Sequence, residues 1–251
     1  MVNLVADNIC FNNIKLVVFD KDGTLFDLHK YWSFVIKQRA LYFSDKYDCS
    51  SDKVYDVLTK NMGLVNENYI SKKGPIGIKS RAFIINKVHK TLKNQVDNLS
   101  LNEVKDGFNK VDKIIDQELS NLVEKLPGVD YLISSLKNSG CFIALATTDI
   151  KQRTIKTLRH MKMESNFDYI VASDEVHESK PDREMIDTII SKYTGISCSQ
   201  VVLIGDSMAD LKMAKNSEIH FIGVKTGTNA NEFISSGEPM VNYLTDIKLT
   251  A

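Results

Sequence analysis

The clearest signal of the fold is the segment Leu16-Val17-Val18-Phe19-Asp20-Lys21-Asp22-Gly23-Thr24-Leu25, in which four consecutive apolar residues end at Asp20, with Asp22 and Gly23 close behind. A short continuous apolar run is typical of a parallel strand that is covered on both faces. Polar residues that follow such a strand lie at the carboxyl edge of the sheet, where open parallel sheets bind ligands. The segment therefore predicts a buried strand that delivers Asp20 and Asp22 to a ligand-binding edge.

Apolar runs of the same kind recur later in the chain, at 142–146, 169–172, 201–204 and 220–224. Residues with helical periodicity lie between most of them, for example an apolar stripe over 129–136 that follows Pro127. Asp149 with Gln152 three residues later predicts a capping box at the start of another helix. Strands that alternate with helices through short connections predict an α/β fold with a Rossmann-like parallel sheet.

The segment from about 27 to 126 differs from this pattern because its apolar residues have helical spacing throughout. Ser100 and Glu103 predict a capping box that opens a long helix within it. We therefore expect an α/β core formed by residues 1–26 and 127–251, and an all-helical cap domain inserted at 27–126.

The composition excludes several classes of protein. The 251 residues include 32 Lys+Arg against 32 Asp+Glu, without the basic excess of a nucleic-acid-binding surface. No apolar run is long enough to predict a membrane span, and the first residues lack the pattern of a signal peptide. The four cysteines are scattered, as free thiols in a reducing compartment are. We expect a cytoplasmic protein with no nucleic-acid or membrane partner; the oligomeric state is left open.

Further polar clusters follow the other predicted strands, so we expect them to meet Asp20 and Asp22 at one edge. They are Thr147-Thr148-Asp149, Lys180, and Gly205-Asp206 with Asp210. Gathered carboxylates repel one another unless a cation binds them, and hard oxygen ligands favour Mg²⁺.

The same residue types can transfer a phosphoryl group. A carboxylate beside the metal can act as the nucleophile, and Asp22 can serve as general acid and then general base. Thr147, backbone N–H groups and Lys180 can neutralise the phosphoryl oxygens. The clusters therefore predict phosphoryl transfer through an aspartyl-phosphate.

In order and spacing, the clusters resemble the four motifs of the haloacid dehalogenase superfamily, in its phosphatase branch. Its first motif, Asp-x-Asp-Gly-Thr after a strand, is matched by Asp20, Asp22, Gly23 and Thr24. The remaining motifs are a Thr or Ser, a Lys often followed by Pro, and Gly-Asp-x-x-x-Asp, matched by Thr147, by Lys180-Pro181, and by Gly205, Asp206 and Asp210.

The resemblance implies a role for each matched residue. Asp20 would attack phosphorus, and Asp22 would protonate the leaving oxygen and later activate water. The Mg²⁺ ligands would be Asp20, Asp206, Asp22 through its backbone carbonyl, and Asp210, which ligates or orients the metal. The phosphate-binding residues would be Gly23, Thr24, Thr147, Thr148 and Lys180. Thr148 departs from the family pattern, in which Asn is common at that position.

The long interval between Asp22 and Thr147 places the helical cap between the first and second motifs, as in phosphoglycolate-phosphatase-like hydrolases. Such caps close over small substrates and exclude bulk water. The resemblance therefore implies a Mg²⁺-dependent phosphatase that hydrolyses a small phosphorylated metabolite.

Three alternatives remain open. A phosphomutase of the same superfamily would use the same motifs and pass the phosphoryl group between two hydroxyls of a sugar. A signalling receiver domain gathers similar residues around Mg²⁺, but its phosphorylated Asp follows a later strand, whereas Asp20 follows the first strand that we predict. A non-catalytic binding protein on this scaffold normally lacks a motif residue, and this chain has all of them.

Overall fold

A computed structural model describes residues 2–47, 52–67, 69–71, 74–76, 79–226 and 236–250. The chain divides into two compact units, one formed by Met1–Asp27 with Glu124–Ala251 and the other by Leu28–Val123. The chain leaves the first unit after Asp27 and returns to it at Glu124. These two residues are adjacent, because the Asp27 N–H donates to the Glu124 carbonyl at 2.9 Å.

Eleven strands and eight helices are defined within the described residues. The strands are β1 (Val2–Ala6), β2 (Ile9–Ile14), β3 (Leu16–Phe19), β4 (Leu64–Asn66), β5 (Tyr69–Ile70), β6 (Phe142–Thr147), β7 (Tyr169–Ala172), β8 (Val201–Gly205), β9 (His220–Val224), β10 (Met240–Val241) and β11 (Lys248–Thr250). The helices are α1 (Leu28–Lys46), α2 (Asp52–Met62), α3 (Arg81–Leu92), α4 (Leu101–Leu122), α5 (Val129–Asn138), α6 (Lys151–His160), α7 (Glu184–Ile190) and α8 (Met208–Asn216).

The first unit is built on a six-stranded parallel sheet in the order β10-β9-β8-β3-β6-β7. This confirms the predicted α/β fold with a parallel sheet, and its five longer strands match the five apolar runs. All four residues of β3 are fully buried, as expected for a central strand covered on both faces. Met185, Ile186 and Ile189 of α7 pack in the core of this sheet.

A second, antiparallel sheet in the order β11-β1-β2 belongs to the same unit and was not predicted. Exposed or half-buried residues occur in each of its strands, and none has the continuous apolar run of the parallel strands. As a result, β3 is the third strand of the chain, and the prediction that Asp20 follows the first strand is wrong.

The second unit contains α1 to α4, and the capping box at Ser100 and Glu103 is present at the start of α4. The expectation that this segment is all-helical is wrong, because β4 and β5 form a short antiparallel hairpin after α2. Gly63 ends α2 with a φ of +107°, and a Cβ there would lie 2.9 Å from the Cα of Gly74. Two glycines in backbone contact allow the chain to reverse here.

None of the helices within the described ranges is long and apolar enough to cross a membrane.

Candidate functional site

The carboxyl edge of the parallel sheet brings three of the predicted motifs into register. Phe19, the last residue of β3, pairs with Leu145 of β6 on one side and with Ile204 of β8 on the other. The Asp20 N–H continues the ladder by donating to the Ile204 carbonyl at 2.9 Å. Asp20, Thr147 and Asp206 therefore lie one or two positions beyond this paired row, at the same edge of the sheet, as expected for parallel strands.

Lys180 joins the first and fourth motifs in a buried cluster. Its ammonium lies 2.5 Å from Asp20 Oδ1 and 2.6 Å from Asp210 Oδ1, and its side chain is 2 % exposed. Burial raises the pKa of Asp20 to about 7, although the charge of Lys180 acts in the opposite direction. Burial would lower the pKa of Lys180, but the two carboxylates outweigh it and hold this pKa above its usual range. Lys180 therefore stays cationic.

Glycines leave room for the aspartates of the fourth motif. A Cβ on Gly23, which has a φ of +89°, would lie 2.6 Å from Asp206 Cγ, and a Cβ on Gly205 would lie 2.6 Å from Asp210 Cγ. Asp210 is held in turn by Ser207, whose N–H and hydroxyl both donate to its Oδ2, at 3.0 and 2.5 Å. Any larger residue at either glycine would displace a carboxylate.

The arrangement of carboxylates fits a hard divalent cation. Ligand atoms of Asp20, Asp206 and Asp210 lie within 4.8 Å of one another, and all three residues are buried. Burial and repulsion from Asp20 and Asp210 raise the pKa of Asp206 well above its usual range. Lys180 supplies one positive charge against three carboxylates, so an added cation would relieve the remaining repulsion. Oxygen ligands in this number suit Mg²⁺.

The side chain of Asp22, the other predicted motif aspartate, does not belong to this cluster. Its Oδ2 lies 3.2 Å from the ammonium of Lys21, which also lies 2.6 Å from Asp149 Oδ2. Arg153 also ion-pairs with Asp149, through its Nε to the same Oδ2, at 3.0 Å, and through its Nη2 to Oδ1. Sequence reasoning missed Lys21 and Arg153, although a lysine between two aspartates after a fully apolar strand is a signal of a buried charge.

The predicted helix cap at Asp149 is wrong. The residue that precedes α6 is Ile150, and it makes no side-chain cap hydrogen bond. Asp149 is instead 3 % exposed, between Lys21 and Arg153. Burial would raise the pKa of Asp149, but the charges of Arg153 and Lys21 together hold it below its usual range. The capping pattern and the buried ion pair use the same residue type, so the sequence could not separate them.

The predicted phosphate-binding threonines have different environments. Thr147 is buried and its hydroxyl oxygen accepts the Asp149 N–H at 3.1 Å, whereas Thr148 is half-buried. Thr24 is fully buried, and its hydroxyl has no hydrogen-bond partner among the described residues. Thr226, after β9, donates its hydroxyl to the Gly23 carbonyl and so also supports the first motif.

The chain is similar to known proteins along most of its length. A family model described as haloacid dehalogenase-like hydrolase matches residues 17–224. A phosphoglycolate phosphatase of Aliivibrio fischeri is 26% identical over 236 residues, which is 92% of this chain and 92% of that protein. Several other curated relatives match over only about half of their own length.

Solved structures share the fold along nearly the whole chain. One is described as a predicted phosphoglycolate phosphatase of Haemophilus somnus, with a TM-score of 0.72 and 19% identity, over 94% of this chain and 96% of that one. Another is CbbY of Rhodobacter sphaeroides in complex with phosphate, with a TM-score of 0.66 and 18% identity, over 92% of this chain and 95% of that one.

Proposed function

We propose, because this chain belongs to the haloacid dehalogenase-like hydrolase family, that it hydrolyses a small phosphomonoester through a phosphorylated Asp20. The chain is a phosphatase of this family, in line with the similarity to phosphoglycolate phosphatase along nearly all of both proteins. The observation that carries the mechanism is the placement of the Asp20 carboxylate at the end of β3, paired with Lys180 and close to Asp206 and Asp210.

The first step in this proposal forms an O–P bond between Asp20 and the substrate phosphorus. The ester P–O bond breaks, and Asp22 gives its proton to the leaving oxygen, which departs as an alcohol. In the second step the Asp22 carboxylate takes a proton from water, and the resulting hydroxide attacks phosphorus. The P–O bond to Asp20 then breaks, which releases inorganic phosphate and restores the Asp20 carboxylate.

Other residues of the site would serve this reaction by holding charge. Lys180 and Thr147 would contact the phosphoryl oxygens, with Gly23, Thr24 and Thr148 lining the same site. Asp20, Asp206, Asp210 and the Asp22 carbonyl would hold Mg²⁺, which when bound supplies positive charge to the phosphoryl group. Asp210 would act mainly by orientation, because Lys180 and Ser207 already contact its two oxygens.

The substrate that we propose is a small phosphorylated metabolite such as phosphoglycolate or a sugar phosphate. The similarity to a phosphoglycolate phosphatase supports this class. We also propose a cytoplasmic location, which is consistent with the free thiols of Cys10, Cys141 and Cys198; Cys49 lies outside the described residues.

The experiment measures inorganic phosphate released from phosphoglycolate, hexose 6-phosphates and nucleoside 5′-monophosphates, with Mg²⁺ and with EDTA. Asp20→Asn is measured beside the wild type, because it removes the nucleophile and keeps the volume of the side chain. We expect Mg²⁺-dependent release that the folded variant loses. Substantial activity in the folded variant would refute the role of Asp20.

The same samples distinguish the phosphomutase. Interconversion of sugar phosphates without net phosphate release, lost in Asp20→Asn, would replace the hydrolase with a mutase that uses the same nucleophile.

A further inference from the structure

The ion-paired cluster beside the first motif consists of Lys21, Asp22, Asp149 and Arg153. The side chains of Lys21, Asp149 and Arg153 are 1 %, 0 % and 6 % exposed, and Asp22 is 11 % exposed. Burying a charge is costly unless an opposite charge lies close to it. The cluster meets this condition, because its two cations, Lys21 and Arg153, are equal in number to its two carboxylates and lie close to them.

Within the cluster, Asp149 and Arg153 already form a pair. Two nitrogens of Arg153 contact the two carboxylate oxygens of Asp149, one turn apart at the start of α6. Asp149 is also fixed through its backbone, because its carbonyl accepts both the N–H and the hydroxyl of Ser173, at 3.0 and 3.2 Å. The Asp149 carboxylate is therefore a rigid anchor that does not need Lys21 for charge balance.

Lys21 links this anchor to Asp22. Its Nζ lies 2.6 Å from Asp149 Oδ2 and 3.2 Å from Asp22 Oδ2. The backbone of Lys21 is held as well, since its carbonyl accepts the N–H groups of Leu25 and Phe26 at 2.9 and 3.2 Å. The Lys21 side chain is therefore held at its backbone and at its ammonium. It can restrict the orientation of the Asp22 carboxylate, which is the more exposed of the two carboxylates in the cluster.

We propose that Lys21 is a positioning residue that holds the Asp22 carboxyl group in the orientation for proton transfer, with Asp149 and Arg153 as its anchor. This inference rests on the proposed function, in which Asp22 protonates the leaving oxygen. Positioning matters at this point because a displacement of about 1 Å can cost about 100-fold in rate.

The test separates proton donation from the other steps by changing the leaving group. The two substrates are p-nitrophenyl phosphate, whose phenolate leaves without protonation, and the alkyl phosphate of the panel above that wild type turns over fastest. Lys21→Met should lose about 100-fold in the rate at which the alcohol is released in a single turnover of the alkyl ester, and only a few-fold in the rate of nitrophenolate release from the aryl ester. This rate reports the first step alone, whereas kcat also contains the second step, in which Asp22 activates water for both esters. Asp22→Asn should show the same preference to a greater degree.

Two further variants complete the design. Lys151→Met is the matched control, because Lys151 also lies at the start of α6 but forms a surface pair with Glu175; it should retain both activities. The double variant Lys21→Met/Asp149→Asn keeps Arg153 and Asp22 as balanced charges and should repeat the alkyl-specific loss if the single variant does not fold.

Equal losses in the single-turnover rate of leaving-group release from the two esters, or no loss on either, would overturn the positioning role of Lys21. If neither the single nor the double variant folds, the cluster serves folding and the proposal is also overturned. Failure of the proposed function is a separate result, since wild type itself would then release phosphate from neither ester.

Discussion

The carboxylate of Asp206 lies against the Cα of Gly23, so that a Cβ on Gly23 would come within 2.6 Å of Asp206 Cγ. Gly23 also has a φ of +89°, a conformation that residues with a side chain rarely adopt. The glycine of the first motif is therefore required by the aspartate of the fourth, which lies 183 positions later in the chain and follows another strand, β8.

Gly23→Ala should disable the site by displacing Asp206. The contact is too short to accommodate, and overpacking of this kind costs about 1–3 kcal/mol of unfolding free energy. We expect Mg²⁺-dependent phosphate release to fall to background and the stabilisation by Mg²⁺ in thermal melts to shrink.

Gly195→Ala is the matched control for the backbone strain that a side chain causes at a positive φ. Gly195 has a φ of +77°, yet nothing lies within 4 Å of a Cβ built there. It should lose about 1–2 kcal/mol from backbone strain and keep its activity and its response to Mg²⁺. If Gly23→Ala kept them equally well, the contact with Asp206 would not be limiting.

The stability of the metal-free protein should fall as pH rises from about 4 to 7. The pKa of Asp20 is raised from the usual 3.8 to about 7, so in this window the folded protein holds a proton that the unfolded chain has released. Folding then becomes less favourable as pH rises, by a few kcal/mol at about 1.4 kcal/mol per pKa unit. Urea denaturation in EDTA at pH 5 and pH 8 measures the difference.

Asp20→Asn isolates the contribution of Asp20 to this slope. The variant has no proton to lose at this position, so its unfolding free energy should change less between the two pH values than that of wild type. It should also be more stable than wild type at pH 8, because one of three neighbouring carboxylates is gone. Identical slopes in the two proteins would contradict the raised pKa.

Lys180→Met should destabilise the metal-free protein and abolish turnover. Removing one partner of a buried ion pair costs about 3–5 kcal/mol because the carboxylates of Asp20 and Asp210 are left facing each other. Loss of a charge that stabilises the phosphoryl group costs about 100- to 1000-fold in kcat. Chemical denaturation and phosphate release measure the two effects.

The response to Mg²⁺ tests whether charge repulsion is the reason that Lys180→Met is less stable. Added Mg²⁺ should restore more stability to this variant than to wild type, since the carboxylates then lack their ammonium. Lys151→Met, which breaks a pair that is about a third exposed, should cost at most about 1 kcal/mol and show no such difference. A Lys180→Met protein as stable as wild type in EDTA would refute the electrostatic argument.

The sequence predicted the elements whose signal is local. Continuous apolar runs located the parallel strands, and the Ser100–Glu103 pattern located the start of α4. The buried ion pairs and the short hairpin could not be predicted from the sequence, because they depend on contacts between segments that are distant in the chain. Lys21 and Asp149 are 128 positions apart, and Gly63 and Gly74, which flank the hairpin of β4 and β5, approach each other too closely for a Cβ on Gly63. The roles of the motif residues came from the family resemblance and stay predictions.

Ser100→Ala should weaken the second unit without affecting the chemistry. The Ser100 hydroxyl accepts the Glu103 N–H at 3.2 Å, and the Glu103 carboxylate accepts the Ser100 N–H at 3.0 Å, so the first turn of α4 is satisfied reciprocally. Loss of such a cap costs about 1 kcal/mol. Ser120→Ala, an exposed position inside the same helix, should cost nothing because alanine is the better helix former. Urea denaturation of the two variants measures the difference, and kcat on p-nitrophenyl phosphate should be unchanged in both. Equal stability of the two would mean that the cap does not hold α4, and the start of this helix would then have to be fixed by its buried residues Val104 and Phe108 alone.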